Sequence, residues 1–247
     1  QLNQQLLNTL IEEQDVSAMF RRFRAAGELP YGAFGELVWE TQRLEMQALA
    51  ERVMAERQQA QSMEIDLQCG GVNLTGWLQQ VQPDGLLRWR PSLLSVSQGM
   101  QLWLEHLVYC ASGGTGESRL FVRKEGEWRF PPLAPAEAQA YLNELVDGYL
   151  LGMSQPLLLL PESGGAWLKA CYDAEKDVIL MDEETQQKAR SKFLQTYEGN
   201  MVVSGEGADI WYQRLWRSLE PAHYEEIIAQ TQRYLLPLYR YHRSTQI

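Results

Sequence analysis

The feature that most constrains this chain is a change of hydrophobic period near residue 62. Upstream, apolar residues recur at helical spacing, with Leu2, Leu6, Leu7 and Leu10 on one face of residues 1–14. Asp15 and Ser17 are cap-type residues before a second helix, MFRRFRAA, that Gly27 stops. The Pro- and Gly-bearing stretch LPYGAFGELVWETQ then leads into a long polar helix ending near Gln59, with Val38, Met46, Leu49 and Val53 on one stripe and the rest charged. From Met63 the period is two. Met63, Ile65, Leu67 and Cys69 alternate with Glu64, Asp66 and Gln68, the pattern of a strand buried on one face.

The strand pattern continues. Gly70-Gly71 turns the chain into a second strand over 72–81, with Gly76 placed as a bulge. Gln82-Pro83-Asp84-Gly85 is a turn and 86–90 a third strand, so residues 63–90 form a three-stranded meander. Ser97 caps a helix whose Met100, Leu104, Leu107, Val108 and Ala111 share a face; Gly113, Gly114 and Gly116 end it before a strand over 119–123. Further helices are expected over 134–151, with Pro135 in the first turn and Leu142, Leu145, Val146 and Tyr149 buried, and over 182–197 and 224–236. The polar stretch 56–62 is the best boundary. It divides a helical lead-in, 1–60, from a core with C-terminal helices, 61–247.

Composition excludes several classes. The sequence has 22 basic and 32 acidic residues, a formal charge of −10, the wrong balance for a large duplex-DNA footprint. At 45% hydrophobic, it has ample material for a core. Cys69, Cys110 and Cys171 are widely spaced with no CxxC, which fits reduced thiols in the cytoplasm and gives no zinc site. His106, His223 and His242 show no metal-ligand spacing. No run of 18 apolar residues is present, and the run at 157–160 is only strand length. The chain opens at Gln1, directly in a helical pattern, and reads as a piece of a longer polypeptide.

The order helix, three strands, helix, strand occurs in many metal-dependent nucleases. GGVNLTGWL, LLRWRPS and the Gln-bearing SQGMQLWLEHLVY resemble the nuclease domains of recombination helicase–nucleases. DIWYQRLWRSLEP, the tail QRYLLPLYRYHRS and GELPYGAFGE resemble the C-terminal region of the RecC family, the gamma chains of exodeoxyribonuclease V. The resemblance implies an α/β fold with a restriction-endonuclease-like, PD-(D/E)xK-like core and flanking helices. It implies partners too: a RecB-type helicase–nuclease and a RecD-type helicase, in a complex that unwinds and degrades double-stranded DNA ends for recombinational repair. The C-terminal domain of that family is associated with assembly of the RecD-type chain.

Carried over residue by residue, the nuclease pattern fails where chemistry would sit. Asn73 stands at the metal-binding Asp, Arg88 at the second Asp and Arg90 at the Lys. Mg²⁺ takes oxygen ligands, mostly carboxylates. A guanidinium about 4 Å from a divalent ion is repelled by roughly twice the ~4 kcal/mol of two unit charges at an effective dielectric of about 20. Arg90 holds its proton at any ordinary pH and cannot be a general base. The expectation is a degenerate site without metal or other cofactor, in a scaffold domain that is no enzyme by itself.

Alternatives remain at this stage. The carboxylates of an active nuclease could have migrated to Asp66, Asp84 or Glu105, or a basic strip of Arg88, Arg90, Arg123 and Arg129 could guide DNA, although Glu125 and Glu127 sit beside Arg123, Lys124 and Arg129. Trp77, Trp89 and Trp103 read as packing residues. Gly113–Gly116 lacks the Lys of a phosphate loop, and Ser163-Gly164-Gly165 is no nucleophile elbow. The apolar C-terminus either docks on its own core or offers a patch to a partner subunit. On the second view Trp211, Trp216, Leu235, Leu236, Leu238 and Tyr239 are interface candidates, and Leu235→Asp or Leu238→Asp would weaken capture of the RecD-type chain.

Overall fold

The computed structural model describes residues 2–124 and 126–243. Glu125 and the last residue of the tail motif, Ser244, lie outside the described residues. The lead-in forms α1 (Leu2–Ile11), α2 (Met19–Ala25) and α3 (Ala33–Glu56). The meander follows as β1 (Gln61–Cys69), β2 (Val72–Gln82) and β3 (Gly85–Arg90). Then come α4 (Val96–Ala111), β4 (Glu117–Val122), β5 (Glu127–Phe130) and α5 (Pro135–Gly152). Among the described residues these strands make one five-stranded sheet in sequence order, antiparallel except for the parallel β3–β4 pair. Parallel neighbours need a long crossover, and α4 supplies it. The two strands start so close that a Cβ on Gly85, at φ +123°, would lie 1.8 Å from the Glu117 carbonyl oxygen.

Alternation along β3 and β4 assigns the two faces. Leu87, Trp89 and Phe121 pack under the lead-in with Leu6, Leu7, Phe23, Trp39, Met46 and Val53, so residues 1–60 are a layer on the sheet that shares its core. Leu86, Leu120 and Val122 face the other way, against Leu102, Trp103 and Leu107 of α4 and Leu142 of α5. Arg119 on β4 is ion-paired with Glu56 at 2.9 Å, which ties the end of α3 to the sheet.

The C-terminal part adds α6 (Pro161–Cys171), a two-stranded ribbon of β6 (Tyr172–Asp173) and β7 (Val178–Ile179), and α7 (Glu183–Glu198). Then follow α8 (Ile210–Leu215), α9 (Pro221–Tyr234) and α10 (Leu236–Tyr241). These helices enclose a third cluster around Trp167, Leu168, Phe193, Ile227 and Leu235. The three cysteines are buried and unpaired. No helix of the described residues is long and apolar enough to cross a membrane.

Several local expectations change. The bulge is not at Gly76, which pairs in register with Ile65; the register slips between Met63↔Leu78 and Gln61↔Val81, and Gln80 takes a φ of 57° there. Ser95, not Ser97, caps α4 by accepting from Gln98 N. Leu104 and Tyr149 point outward, since α4 and α5 bury faces set by the sheet behind them. Leu235 and Leu238 are fully buried inside this chain, so they offer nothing to a partner; Leu236 and Tyr239 are half-buried against the same clusters. Of the two readings of the C-terminus, docking on its own core is the one realised. Residues 242–243 are tied to β5: Arg129 N donates to His242 Nδ1 at 3.3 Å and Arg243 N donates to Arg129 O at 2.9 Å.

His106 lies fully buried on α4, its Nδ1 2.7 Å from Ser118 Oγ. Burial pushes its imidazole down to about 4. A base with a depressed folded pKa contributes stability that is complete above its unfolded value and is lost as pH falls toward the folded one. Stability is therefore expected to fall between about pH 6.5 and pH 4, by on the order of 3 kcal/mol, and His106→Gln should flatten that part of a denaturation-against-pH profile. Leu238→Asp should unfold the chain outright, as circular dichroism would register, because it buries an unpaired carboxylate.

Candidate functional site

A cleft between β3 and α4 forms a cavity of about 240 Å³ lined by Gln80, Arg88, Arg90, Gln98, Gln101 and Glu105, with Leu102 and Leu120 among its apolar lining. Its construction follows from two periods. Arg88 and Arg90 are two apart on a strand and share the face toward α4. Gln98, Gln101 and Glu105 are three and four apart on a helix and share the face toward β3.

The two arginines are held differently. Arg88 Nε donates to Glu105 Oε2 at 2.6 Å, its Nη2 to Gln79 O at 2.8 Å and its Nη1 to Gln80 O at 3.2 Å. The bulge presents those two carbonyls, so one guanidinium bridges β2, β3 and α4. Arg90 is exposed and donates to Gln101 Oε1 at 3.2 Å. The cleft thus has one carboxylate, neutralised by its neighbour, and a second fixed positive charge. Gln98 Oε1 is buried there without a hydrogen-bond partner among the described residues. The set suits neutral or anionic polar groups and does not suit a divalent cation.

Asn73 is elsewhere. It sits at the hairpin end of β2, where its Oδ1 accepts from Gln68 Nε2 at 3.2 Å. The β2 residue that reaches the cleft is Gln80, seven positions on, roughly 20 Å along an extended strand. The expected convergence of Asn73, Arg88 and Arg90 fails in its first member. Counting back from the Pro83–Gly85 turn would have found the right stretch of β2, because Val81 pairs with Leu86. The alternative carboxylates do not assemble either. Asp66 is on the exposed face of β1, Asp84 accepts from Gln58 in the turn, and Glu105 is committed to Arg88. Among the described residues no group of three His, Cys, Asp or Glu could hold a metal ion.

The basic strip is largely neutralised within the chain. Arg123 pairs with Glu45 at 3.4 Å and Arg129 with Glu117 at 2.8 Å, and the Glu117 hydrogen bond holds the Arg129 guanidinium above its ordinary range. Arg90 is the member without an ion pair among the described residues. Of the interface candidates, Trp211 is 65% exposed and Trp216 is half-buried with its ring 5.2 Å from that of Tyr212. Sequence reasoning missed other exposed apolar residues near Trp211 in the chain: Met201, Val202, Val203, Ile210 and Leu215. Isolated apolar residues in a polar segment show no periodicity, so their signal was composition alone.

Residues 1–172 match the family model described as the RecC C-terminal domain. The RecBCD enzyme subunit RecC of Escherichia coli (strain K12) is 71% identical over 244 residues, which is 99% of this chain and 22% of that protein. The subunit of the same name from Buchnera aphidicola subsp. Acyrthosiphon pisum (strain APS) is 32% identical over 237 residues, 96% of this chain and 22% of that protein. The chain spans about a fifth of the length of the curated relatives it matches.

The Arg88–Glu105 pair is about four-fifths buried on both sides. Glu105→Ala leaves a guanidinium short of its partner and is expected to cost about 1–3 kcal/mol. A double-mutant cycle with Arg88→Ala should recover a coupling of about 1 kcal/mol, read from urea denaturation midpoints.

Proposed function

This chain belongs to the RecC C-terminal domain family, and on that premise we propose that it is a non-catalytic assembly domain of a RecC-type subunit, with a degenerate nuclease cleft between β3 and α4. The sheet is read as a restriction-endonuclease-like core: an antiparallel meander, a crossover helix and a parallel fourth strand follow one another in the order such a core needs. One observation carries the non-catalytic reading. On the strand face where a nuclease of that class would hold a carboxylate and a lysine, Arg88 is locked by Glu105 and Arg90 stands beside it. Neither guanidinium can bind Mg²⁺ or accept a proton from water.

The proposed role of the whole is that of the family: a cytoplasmic complex with RecB-type and RecD-type subunits that unwinds and degrades double-stranded DNA ends for recombinational repair. This domain's share is docking the RecD-type helicase. The exposed Met201, Val202, Val203, Ile210, Trp211 and Leu215, on α8 and in the segment before it, support that share, since a Trp flanked in the chain by exposed aliphatic residues has the composition of an interface hot spot.

Two measurements test the two halves. The RecC-type subunit alone should not cut DNA with Mg²⁺, and Arg88→Ala should leave the assembled complex's nuclease rate unchanged; cutting by the lone subunit that Glu105→Gln abolishes would overturn the non-catalytic reading. Trp211→Ala combined with Ile210→Asp should weaken capture of the RecD-type subunit at least about tenfold, roughly 1.4 kcal/mol. Undiminished capture by a folded double variant defeats the docking assignment.

A further inference from the structure

Helix α3 is apolar on two opposed sides. Gly35, Trp39, Met46, Leu49, Ala50 and Val53 make the buried stripe against α1 and the sheet. On the outward side Phe34, Leu37 and Leu44 are 65%, 63% and 57% exposed, Tyr31 just before the helix is exposed too, and Ala48 and Ala55 continue the line. Positions 34, 37, 41, 44, 48, 51 and 55 advance by alternating steps of three and four, the spacing of a seam that packs against another helix. A helix that covers a core with one side needs no second stripe. The lower half of the seam opens into a cleft of about 780 Å³ beside Ala48, Arg52, Ala55 and Lys124.

Charge along the seam is nearly balanced: Glu40, Glu45 and Glu56 are ion-paired with Arg43, Arg123 and Arg119, leaving Glu36 and Glu51 against Arg52 and Lys124. The length and make-up of the seam point to the occupant instead. The seam also holds Thr41 and Glu51, and a two-helix seam of about three heptads with such interruptions is marginal between untethered chains. A tethered helix escapes that cost, because a linker supplies an effective concentration on the order of millimolar. The RecC relatives extend well beyond the stretch this chain matches, which is 22% of their length.

We propose that the outward stripe of α3 is an inter-domain seam, filled by an amphipathic helix from the remaining part of the same RecC-type polypeptide. This surface is separate from Trp211 and the exposed residues near it in the chain, and the inference does not rest on helicase docking. The test places a photo-crosslinking phenylalanine analogue at Leu37, and separately at Leu44, in the full-length subunit within the assembled complex. Isotopically heavy and light copies are mixed, and products are mapped by mass spectrometry. The expected product joins residue 37 or 44 to an amphipathic helical stretch elsewhere in the same copy, and Leu37→Asp should abolish the product formed from residue 44. A product with another subunit, a heavy–light product, or no protein product overturns the proposal. The same probe at Trp211 reports on helicase docking independently.

Discussion

The geometry of the cleft depends on a relay of carboxylates that hold helix N-termini. Glu206 accepts from the backbone N–H groups of Glu162 and Ser163, at 3.1 and 2.7 Å, and so fixes the start of α6. Glu162 in turn accepts from Val96 N and Ser97 N, at 3.0 and 2.9 Å, and fixes the start of α4. The first N–H groups of a helix have no partner within it and carry its positive dipole end, so an anion there satisfies both needs. Burial pushes the Glu206 carboxyl up, against the pull of its bonds to Ser163. The relay needs close approach. A Cβ on Gly165 would lie 2.5 Å from a methyl of Val96 and 2.6 Å from the Tyr239 hydroxyl. That is the structural use of Gly164-Gly165, a pair that chemistry had no part for.

With its N-terminus pinned, α4 can cross the sheet in only one register. Ser95 O also takes the Trp128 indole N–H at 2.8 Å, which locks the helix to β5. The register puts Glu105 over Arg88 and Gln101 over Arg90. The charges of the cleft are therefore turned inward on each other, and Arg88 holds the sheet to the helix across three elements at once.

The C-terminal segment closes the same core from the other side. Tyr241 stacks on Trp103 at 5.5 Å, His242 meets Trp128 edge-on at 4.8 Å, and Tyr239 meets Trp128 at 5.7 Å. A tail buried this way is committed to its own domain, which is why the free apolar surface lies instead on the loop before α8 and on the outer side of α3.

The sequence by itself determined the lead-in helices, the β1–β2–β3 meander, the order of α4 and β4 after it and the facing of Arg88 and Arg90, because each follows from a local period or a turn residue. It also carried Arg88 and Arg90, the two positive charges that make the cleft unsuited to a divalent cation. The Pro83–Gly85 turn also placed the stretch around Gln80 beside β3; only the tertiary structure showed the extra residue in β2 that turns the Gln79 and Gln80 carbonyls toward Arg88, since one such residue leaves no periodic trace. It alone decided that Leu235 and Leu238 are interior, because an apolar helix end looks the same whether its own core or a partner covers it. And it alone separated the two stripes of α3, which sequence reading merged into one stripe and a charged remainder: which side of a helix is buried depends on where its neighbours stand, and that information lies far along the chain.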